Sequence, residues 1–294
     1  MSNNNLISVG QIIDHSWEFY TKHFKVLMSV ALWYFLIALL LMIGAILSPA
    51  NNGLLMQGGS FTVLEALGLS ITVLASLIAT PLVGIWISMT LMQVVDAERK
   101  DKTVNQKAVY KQTWSKMVSY ILMGFLRGLA IFLPLLFILP GLTMLIVNIL
   151  ADGGMILGAL GLILTFLGTV SAIAGCFYLA MNLSFSGFEL MLNGQRVVHS
   201  LKSSMELVKG RFWQTAIRLI LPKLVYSIPI AVFQIGAMAL LNIGLASLST
   251  INDDVIFKIA DISGSLITMG ITALAAPIIL ISDYLVYESL RKTK

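Results

Sequence analysis

The stretch that decides the fold is SSMELVKGRFWQTAIRLILP, residues 203–222, in which an amphipathic segment continues directly into a strongly apolar one. The apolar residues around it recur at the spacing of one helix face. That stripe consists of Val198, Leu201, Met205, Val208 and Phe212. The pattern predicts a helix that lies in a membrane interface and leads into a membrane-spanning helix. A soluble hairpin packed on another subunit is the alternative.

The composition favours a membrane environment. Of 294 residues, 58% are hydrophobic and 11% are charged, with a mean hydropathy of +0.91. A soluble domain carries about 25% charged residues. Six apolar runs approach or exceed the roughly 20 residues that a helix needs to cross the hydrocarbon core. These runs lie near 24–47, 66–94, 118–149, 155–190, 213–248 and 263–287. The sequence therefore predicts an all-α integral membrane protein with six transmembrane helices.

The distribution of Lys and Arg predicts the orientation of these helices. Most of the 19 basic residues lie in the N-terminal segment, in 96–117, in 191–212 and in the C-terminal tail. The intervening loops contain only Lys258. Because basic loops stay on the cytoplasmic side, both termini are expected in the cytoplasm. The net charge of +5 then has a topological cause and indicates no nucleic-acid partner.

The amphipathic segment has relatives within the chain. A shift of 97 positions places Ser16 on Thr113, and a shift of 188 places it on Ser204. In the same comparison Arg127 falls on Arg218. These matches agree on a period of roughly 95 residues, which is typical of internal repeats. They predict one membrane domain, 1–294, built of three units, each an interfacial helix plus a transmembrane hairpin. The units cover approximately 8–99, 103–192 and 196–294.

Helix starts can be predicted in two of the units. Ser8-x-x-Gln11 and Thr103-x-x-Gln106 both have the pattern of a capping box. In the first unit an apolar stripe follows the capping box, and the second unit has a thinner apolar side. The stripe of the first unit consists of Val9, Ile13, Tyr20 and Phe24.

Residues 185–214, FSGFELMLNGQRVVHSLKSSMELVKGRFWQ, resemble the signature of a bacterial superfamily. It includes the membrane domain of glycerophosphoryl diester phosphodiesterases and the YciC-like inner-membrane proteins. The tail LVYESLRKTK, 285–294, resembles the closing segment of that family. The residues that carry the signature are Asn193, Gly194, Ser204, Leu207, Lys209, Gly210, Phe212 and Trp213.

The resemblance implies a six-helix domain of the bacterial cytoplasmic (inner) membrane whose biochemical role is mostly uncharacterised. In the phosphodiesterase branch the chemistry resides in a separate soluble barrel. The 294 residues contain neither the His-Arg-Gly start of such a barrel nor a soluble segment long enough to form it. A phosphodiesterase activity is therefore not expected of this chain.

Charges inside the apolar runs are the candidate site. A Lys or Arg at the centre of a spanning helix costs about 2.5–3.5 kcal/mol, so it needs a partner or a route to the interface. The candidate lipid-contacting or anion-contacting residues are Arg127, Arg218 and Lys223, and the candidate charge partners are Glu189, Asp283 and Glu288. Contact with phospholipid headgroups or structural anchoring is favoured, and a transport path is the alternative.

The sequence offers little for catalysis. His15, His23 and His199 lack the spacing of metal ligands, and Cys176 has no basic neighbour in sequence that would stabilise a thiolate. We expect no metal, no cofactor and no catalytic residue. The sequence therefore predicts a non-catalytic inner-membrane protein that contacts phospholipids and organises the envelope or a protein partner in the membrane. A transporter or permease for a small or anionic solute is the alternative, and a membrane-embedded hydrolase is the third hypothesis. The oligomeric state stays open.

Overall fold

The computed structural model describes residues 6–48, 62–100, 105–152, 154–247 and 253–293, and every regular element in these ranges is helical. The α-helices are α1 (Val9–Lys22), α2 (Phe24–Ala31), α3 (Tyr34–Leu47), α4 (Val63–Leu74), α5 (Thr80–Arg99), α6 (Gln106–Phe132), α7 (Leu139–Leu150), α8 (Gly154–Asn182), α9 (Ser186–Leu192), α10 (Val197–Val208), α11 (Phe212–Ala246) and α12 (Asp253–Lys292).

Within the ranges that the structure describes, six segments are long and apolar enough to cross a membrane, as predicted. They are Phe24–Leu47, Val63–Arg99, Gln106–Leu150, Gly154–Leu192, Phe212–Ala246 and Val255–Lys292. Most of them extend beyond the apolar runs, because each helix continues into the polar residues that flank its run. The chain is thus an all-helical protein with the spans of a multi-pass membrane protein.

The chain divides into two compact units. The first unit comprises Met1–Ser115 and Ile217–Ser289, and the second comprises Lys116–Ala216 and Leu290–Lys294. The boundaries fall inside α6, α11 and α12, so these three helices contribute residues to both units.

The first amphipathic helix begins and ends where its local chemistry requires. The backbone N–H of Gln11 donates to Ser8 Oγ at 3.3 Å, and the N–H of Ser8 donates to Gln11 Oε1 at 3.1 Å. This reciprocal arrangement confirms the predicted capping box, which satisfies two otherwise orphaned donors. The second predicted box, at Thr103, lies outside the described residues. At the other end of α1, His23 interrupts the helix before α2 begins.

In the first and third predicted units, the amphipathic helix is separate from the spanning helix that follows it. In the second predicted unit the two form one continuous helix. Between α10 and α11 the chain turns at Gly210, which has a φ of +78°, a conformation that favours glycine. In the second predicted unit, α6 runs unbroken through both the lead-in and the apolar run. No residue of this stretch has a positive φ, so nothing terminates the helix before Phe132.

Two of the hairpins are held together by close helix contacts at glycine. A Cβ at Gly68 of α4 would clash with the backbone of Leu47 and Ser48 at the end of α3. In the second compact unit, a Cβ at Gly168 of α8 would clash with the backbone carbonyl of Phe137. Small residues let helices approach closely where no hydrophobic effect drives their association. These two hairpins are therefore tightly packed.

The proline-rich run of the third span stays helical. A 3₁₀ turn at Leu133–Ile138 contains Pro134 and joins α6 to α7. Pro134 has no backbone N–H, so it removes one donor of the α-helical ladder and favours this tighter turn. Pro140 lies in the first turn of α7, where a missing donor costs little.

Burial is concentrated in three stretches of the chain. Residues 86–95 of α5, 182–191 around α9 and 281–290 of α12 are mostly buried. By contrast, many large apolar residues elsewhere are exposed, with Met155 at 93% as the extreme. Such exposure would be unfavourable in water and is normal for a surface that faces lipid.

Candidate functional site

Lys223 and Asp283 form an ion pair within the first unit. Lys223 Nζ of α11 lies 2.9 Å from Asp283 Oδ1 of α12, and the two side chains are 40% and 24% exposed. Asp283 is one of the predicted charge partners. Because the pair neutralises two charges in spanning helices, it lowers the cost of placing them near lipid.

Arg218 contacts the N-terminal segment. Its Nε donates a hydrogen bond of 2.6 Å to the carbonyl oxygen of Ile7. The N–H of Ile7 in turn donates to Ser289 Oγ at 3.0 Å. The peptide that precedes α1 is therefore bound to both α11 and α12. The guanidinium of Arg218 thus has an acceptor within the protein.

Glu288 belongs to a charged cluster formed by α5 and α12. Its carboxylate oxygen Oε2 lies 3.5 Å from Arg99 Nε. In the same cluster Tyr284 donates to Asp96 Oδ1 at 2.9 Å, and Lys100 lies 2.7 Å from Asp96. The charged cluster, Asp96, Arg99, Lys100, Tyr284 and Glu288, thus joins the ends of the second and sixth spans.

Glu189 and Arg127 belong to the second unit. Glu189 of α9 is 3% exposed, and its carboxylate accepts hydrogen bonds from Asn193 Nδ2 at 2.8 Å and from Ser203 Oγ at 3.2 Å. Arg127 is partly exposed on α6. Of the predicted site residues, the structure joins Lys223 with Asp283, and it gives Glu288, Glu189 and Arg218 contacts with other groups.

The stretch 185–214 has a clear structural role. Gly194 has a φ of +65°, which allows the turn between α9 and α10. Ser204 of α10 is fully buried, donates to the carbonyl oxygen of Asn182 at 2.7 Å and accepts from the N–H of Phe185 at 3.1 Å. The signature hydroxyl therefore satisfies two backbone groups where α8 gives way to α9. Phe212 packs edge to face on Phe177, with ring centroids 6.0 Å apart.

The face by which the amphipathic helix α10 packs on other helices differs in part from its predicted apolar stripe. In α10 the buried residues are Ser200, Ser204, Leu207 and Val208. Val198 and Met205 of the predicted stripe remain 57% and 42% exposed. Part of the apolar stripe is therefore not covered by protein and is accessible to lipid.

The first amphipathic helix repeats this arrangement within the first unit. Ser16 is fully buried, and its Oγ lies 2.6 Å from the hydroxyl of Tyr226, which also donates to the carbonyl oxygen of Ile13. Thr113 and Ser204, the residues that sequence comparison aligns with Ser16, are equally buried. Each of the three hydroxyls therefore lies on a face that packs against protein.

Tyr20 fixes the same helix to α12. Its hydroxyl donates to the carbonyl oxygen of Leu274 at 3.1 Å. Burial raises the pKa of the Tyr20 hydroxyl, since a phenolate would lose its hydration there. The side chain is therefore held in its protonated, donating form.

Three exposed tryptophans were missed as functional residues by sequence reasoning. Trp17, Trp114 and Trp213 are 56%, 61% and 70% exposed, whereas Trp86 is 6% exposed. Each of these three rings lies in or beside a basic segment, whereas Trp33, which is 43% exposed, lies within the first span. Tryptophan is enriched at membrane–water interfaces because its ring has an apolar body and a polar N–H. The position of these tryptophans next to basic segments is the sequence signal by which they could have been predicted.

The contacts found at these sites are ion pairs and hydrogen bonds. His23 Nδ1 lies 2.9 Å from Glu98 Oε2, so one of the three histidines has a carboxylate partner. Among the residues that the structure describes, no group of three or more His, Cys, Asp or Glu side chains is placed to hold a metal ion.

Comparisons with family models, with curated proteins and with solved structures found no match to this chain.

Proposed function

We propose that the chain is a non-catalytic polytopic protein of the bacterial inner membrane that contacts phospholipids and organises the envelope or a partner protein. The termini and the basic segments lie in the cytoplasm. We further propose that the chain is related to the membrane domains of glycerophosphoryl diester phosphodiesterases and to YciC-like proteins. This grouping rests on residues 185–214, whose signature residues have the structural roles described above.

The observation that carries the proposal is the exposure of Trp17, Trp114 and Trp213. All three lie where a basic segment meets an apolar span. An exposed indole at such a junction is favoured at the level of the lipid headgroups. The exposed part of the apolar stripe of α10 supports the same placement, because an interfacial helix directs its apolar residues toward the acyl chains.

Depth-dependent quenching of tryptophan fluorescence tests this placement. Single-tryptophan variants retaining only Trp17, Trp114 or Trp213 would be reconstituted in vesicles whose lipids carry bromine at defined depths. We expect strong quenching by bromine placed close to the headgroup. A variant retaining only Trp86 is the matched control and is expected to be quenched weakly, because its ring is buried in protein. Equal quenching of all four would contradict the proposal, as would turnover of a defined phospholipid by the purified protein.

A transporter or permease is the second candidate, and one cavity favours it. Within the first unit a cavity of about 430 Å³ lies among α3, α11 and α12. Its lining includes the polar residues Asn242, Asp261 and Thr268 among apolar side chains. A mainly apolar cavity with a few polar groups is typical of small-molecule sites.

Thiol accessibility distinguishes the two candidates. In a Cys176→Ser background, Asn242→Cys and Thr268→Cys would be labelled with a membrane-impermeant thiol reagent added from either side. The proposed non-transporting role predicts labelling from one side at most. Labelling of one position from both sides would favour transport, and solute flux would then be measured in proteoliposomes.

A further inference from the structure

A polar cavity of about 340 Å³ lies in the first unit beside the ends of α1 and α5. Its ionisable lining residues are His15, Glu18, Lys22, His23, Glu98 and Arg99. The volume falls at the lower end of the roughly 300–1,000 Å³ that small-molecule sites occupy. This size suits a headgroup more than a whole lipid.

The ionisable groups differ in exposure. The side chains of His23 and Glu98, whose Nδ1 and Oε2 atoms lie 2.9 Å apart, are only 18% and 20% exposed. Glu18, Lys22 and Arg99 are exposed. The cavity thus combines a shielded contact between a histidine and a carboxylate with accessible charges of both signs.

The charge pattern selects a class of ligand. Apart from the two histidines, the lining carries two carboxylates, Glu18 and Glu98, and two cations, Lys22 and Arg99. A purely anionic ligand would meet two carboxylates, and a purely cationic ligand would meet two cations. A zwitterion with separated charges meets a complementary group at each end. The helix termini add to this pattern, because α1 and α5 end here and their last carbonyls carry partial negative charge.

The surroundings of the cavity fit a position at the lipid surface. Phe24 directly follows His23 and is 40% exposed, and Trp17 on α1 is 56% exposed. Aromatic side chains of this kind favour the headgroup level. A ligand in the cavity would therefore be supplied from the membrane interface or from the adjoining aqueous phase.

We propose that this cavity binds a phosphate ester bearing a primary ammonium group, the chemistry of a phosphatidylethanolamine headgroup. Lys22 and Arg99 contact the phosphate, and Glu18 and Glu98 contact the ammonium. The inference deepens the proposed phospholipid contact and rests on it. Free phosphoethanolamine carries the same two charged groups and is the alternative source of the ligand.

Lipid competition measured by native mass spectrometry tests the assignment. The full-length protein would be equilibrated with equal amounts of phosphatidylethanolamine and phosphatidylglycerol, and the ratio of the retained lipids would be measured. We expect the wild type to favour phosphatidylethanolamine. Glu18→Gln and Glu98→Gln should each lower this ratio by about two- to fivefold, the effect of losing one partly exposed charge contact. Asp14→Asn removes an exposed carboxylate one turn earlier on the same helix that does not line the cavity, so it is the matched control and should leave the ratio unchanged.

The phosphate contacts predict a different response. Lys22→Gln should lower retention of both lipids, because both contain a phosphate, whereas the exposed neighbour Lys25→Gln should not. Displacement of the retained phosphatidylethanolamine by millimolar free phosphoethanolamine would identify the soluble ester as a ligand of the cavity. Persistence of the lipid under that challenge would identify the membrane as the source. Circular dichroism would establish that each variant keeps its helical content.

The outcomes separate this inference from the proposed function. A wild-type ratio near one, or equal ratios for Glu18→Gln and Asp14→Asn, would overturn the headgroup assignment. If the exposed tryptophans were still quenched by lipid, the proposed interfacial role would survive that result. Loss of both the lipid quenching and all lipid retention in the wild type would overturn the two proposals together.

Discussion

Arg218 Nε and the carbonyl oxygen of Ile7 are joined by a hydrogen bond of 2.6 Å, although the two residues lie 211 positions apart in sequence. The same Ile7 peptide donates to Ser289 Oγ. A guanidinium has five N–H donors, and the partly buried carbonyl of Ile7 accepts one of them. This contact explains how an arginine is accommodated in a spanning helix, and it leaves further donors of Arg218 for other acceptors.

Replacement of Arg218 by Gln should release the segment before α1. The shorter side chain cannot reach the Ile7 carbonyl in the same geometry, and loss of a hydrogen bond to a charged group costs about 1.5–3 kcal/mol. Hydrogen exchange at the amides of residues 7–11 should become faster, as measured by mass spectrometry. Arg127→Gln is the matched control, since Arg127 belongs to the other unit. Unchanged exchange in Arg218→Gln would show that Ser289 holds the segment alone.

The Lys223–Asp283 pair should show energetic coupling. Lys223→Met and Asp283→Asn each leave one charge without this partner, and groups in direct contact couple by about 0.5–3 kcal/mol. A double-mutant cycle in thermal or denaturant unfolding would measure the coupling, and the swapped variant Lys223→Asp/Asp283→Lys should recover part of the lost stability. Additive effects of the two single substitutions would mean that solvent screens the pair, whose side chains are 40% and 24% exposed.

The spans could be predicted from sequence because the bilayer imposes a simple rule of length and hydropathy. The first span, Phe24–Leu47, coincides with the predicted run. The boundaries of the others differ because helices do not stop where hydropathy does. Gln106 to Phe132 has no terminating turn, so one helix contains both the polar lead-in and the beginning of the span.

The contacts of the candidate site could be predicted only in part. The sequence identifies Lys223 and Asp283 because each is costly in an apolar run, but it does not show which cation pairs with which carboxylate. The partner of Arg218 is a backbone carbonyl, which has no sequence signal. The packing face of α10 was also hidden, because serines such as Ser200 and Ser204 score as polar. They are buried here because small hydroxyls allow close packing and bond to backbone groups.

Removal of the Ser204 hydroxyl should destabilise the second unit. Ser204→Ala would leave the buried N–H of Phe185 and the carbonyl oxygen of Asn182 without this partner. An unsatisfied buried polar group costs about 1–3 kcal/mol, so a measurable fall in the thermal midpoint is expected. The exposed Ser115→Ala serves as the control and should change the midpoint little. Equal midpoints for the two variants would show that other groups replace the hydroxyl.

A methyl group at Gly68 should separate α3 from α4. Outside such contacts, Gly→Ala stabilises a helix by roughly 1 kcal/mol, because alanine restricts the unfolded chain. At Gly68 the new Cβ would clash with the backbone of Leu47 and Ser48, and overpacking of this kind costs about 1–3 kcal/mol. Gly236 of α11 has no neighbouring atom within 4 Å of the position a Cβ would take, which makes Gly236→Ala the matched control. We therefore expect opposite shifts in the unfolding midpoint of the detergent-solubilised protein, downward for Gly68→Ala and unchanged or upward for Gly236→Ala. A stabilised Gly68→Ala would mean that the first hairpin has room to widen without loss of packing.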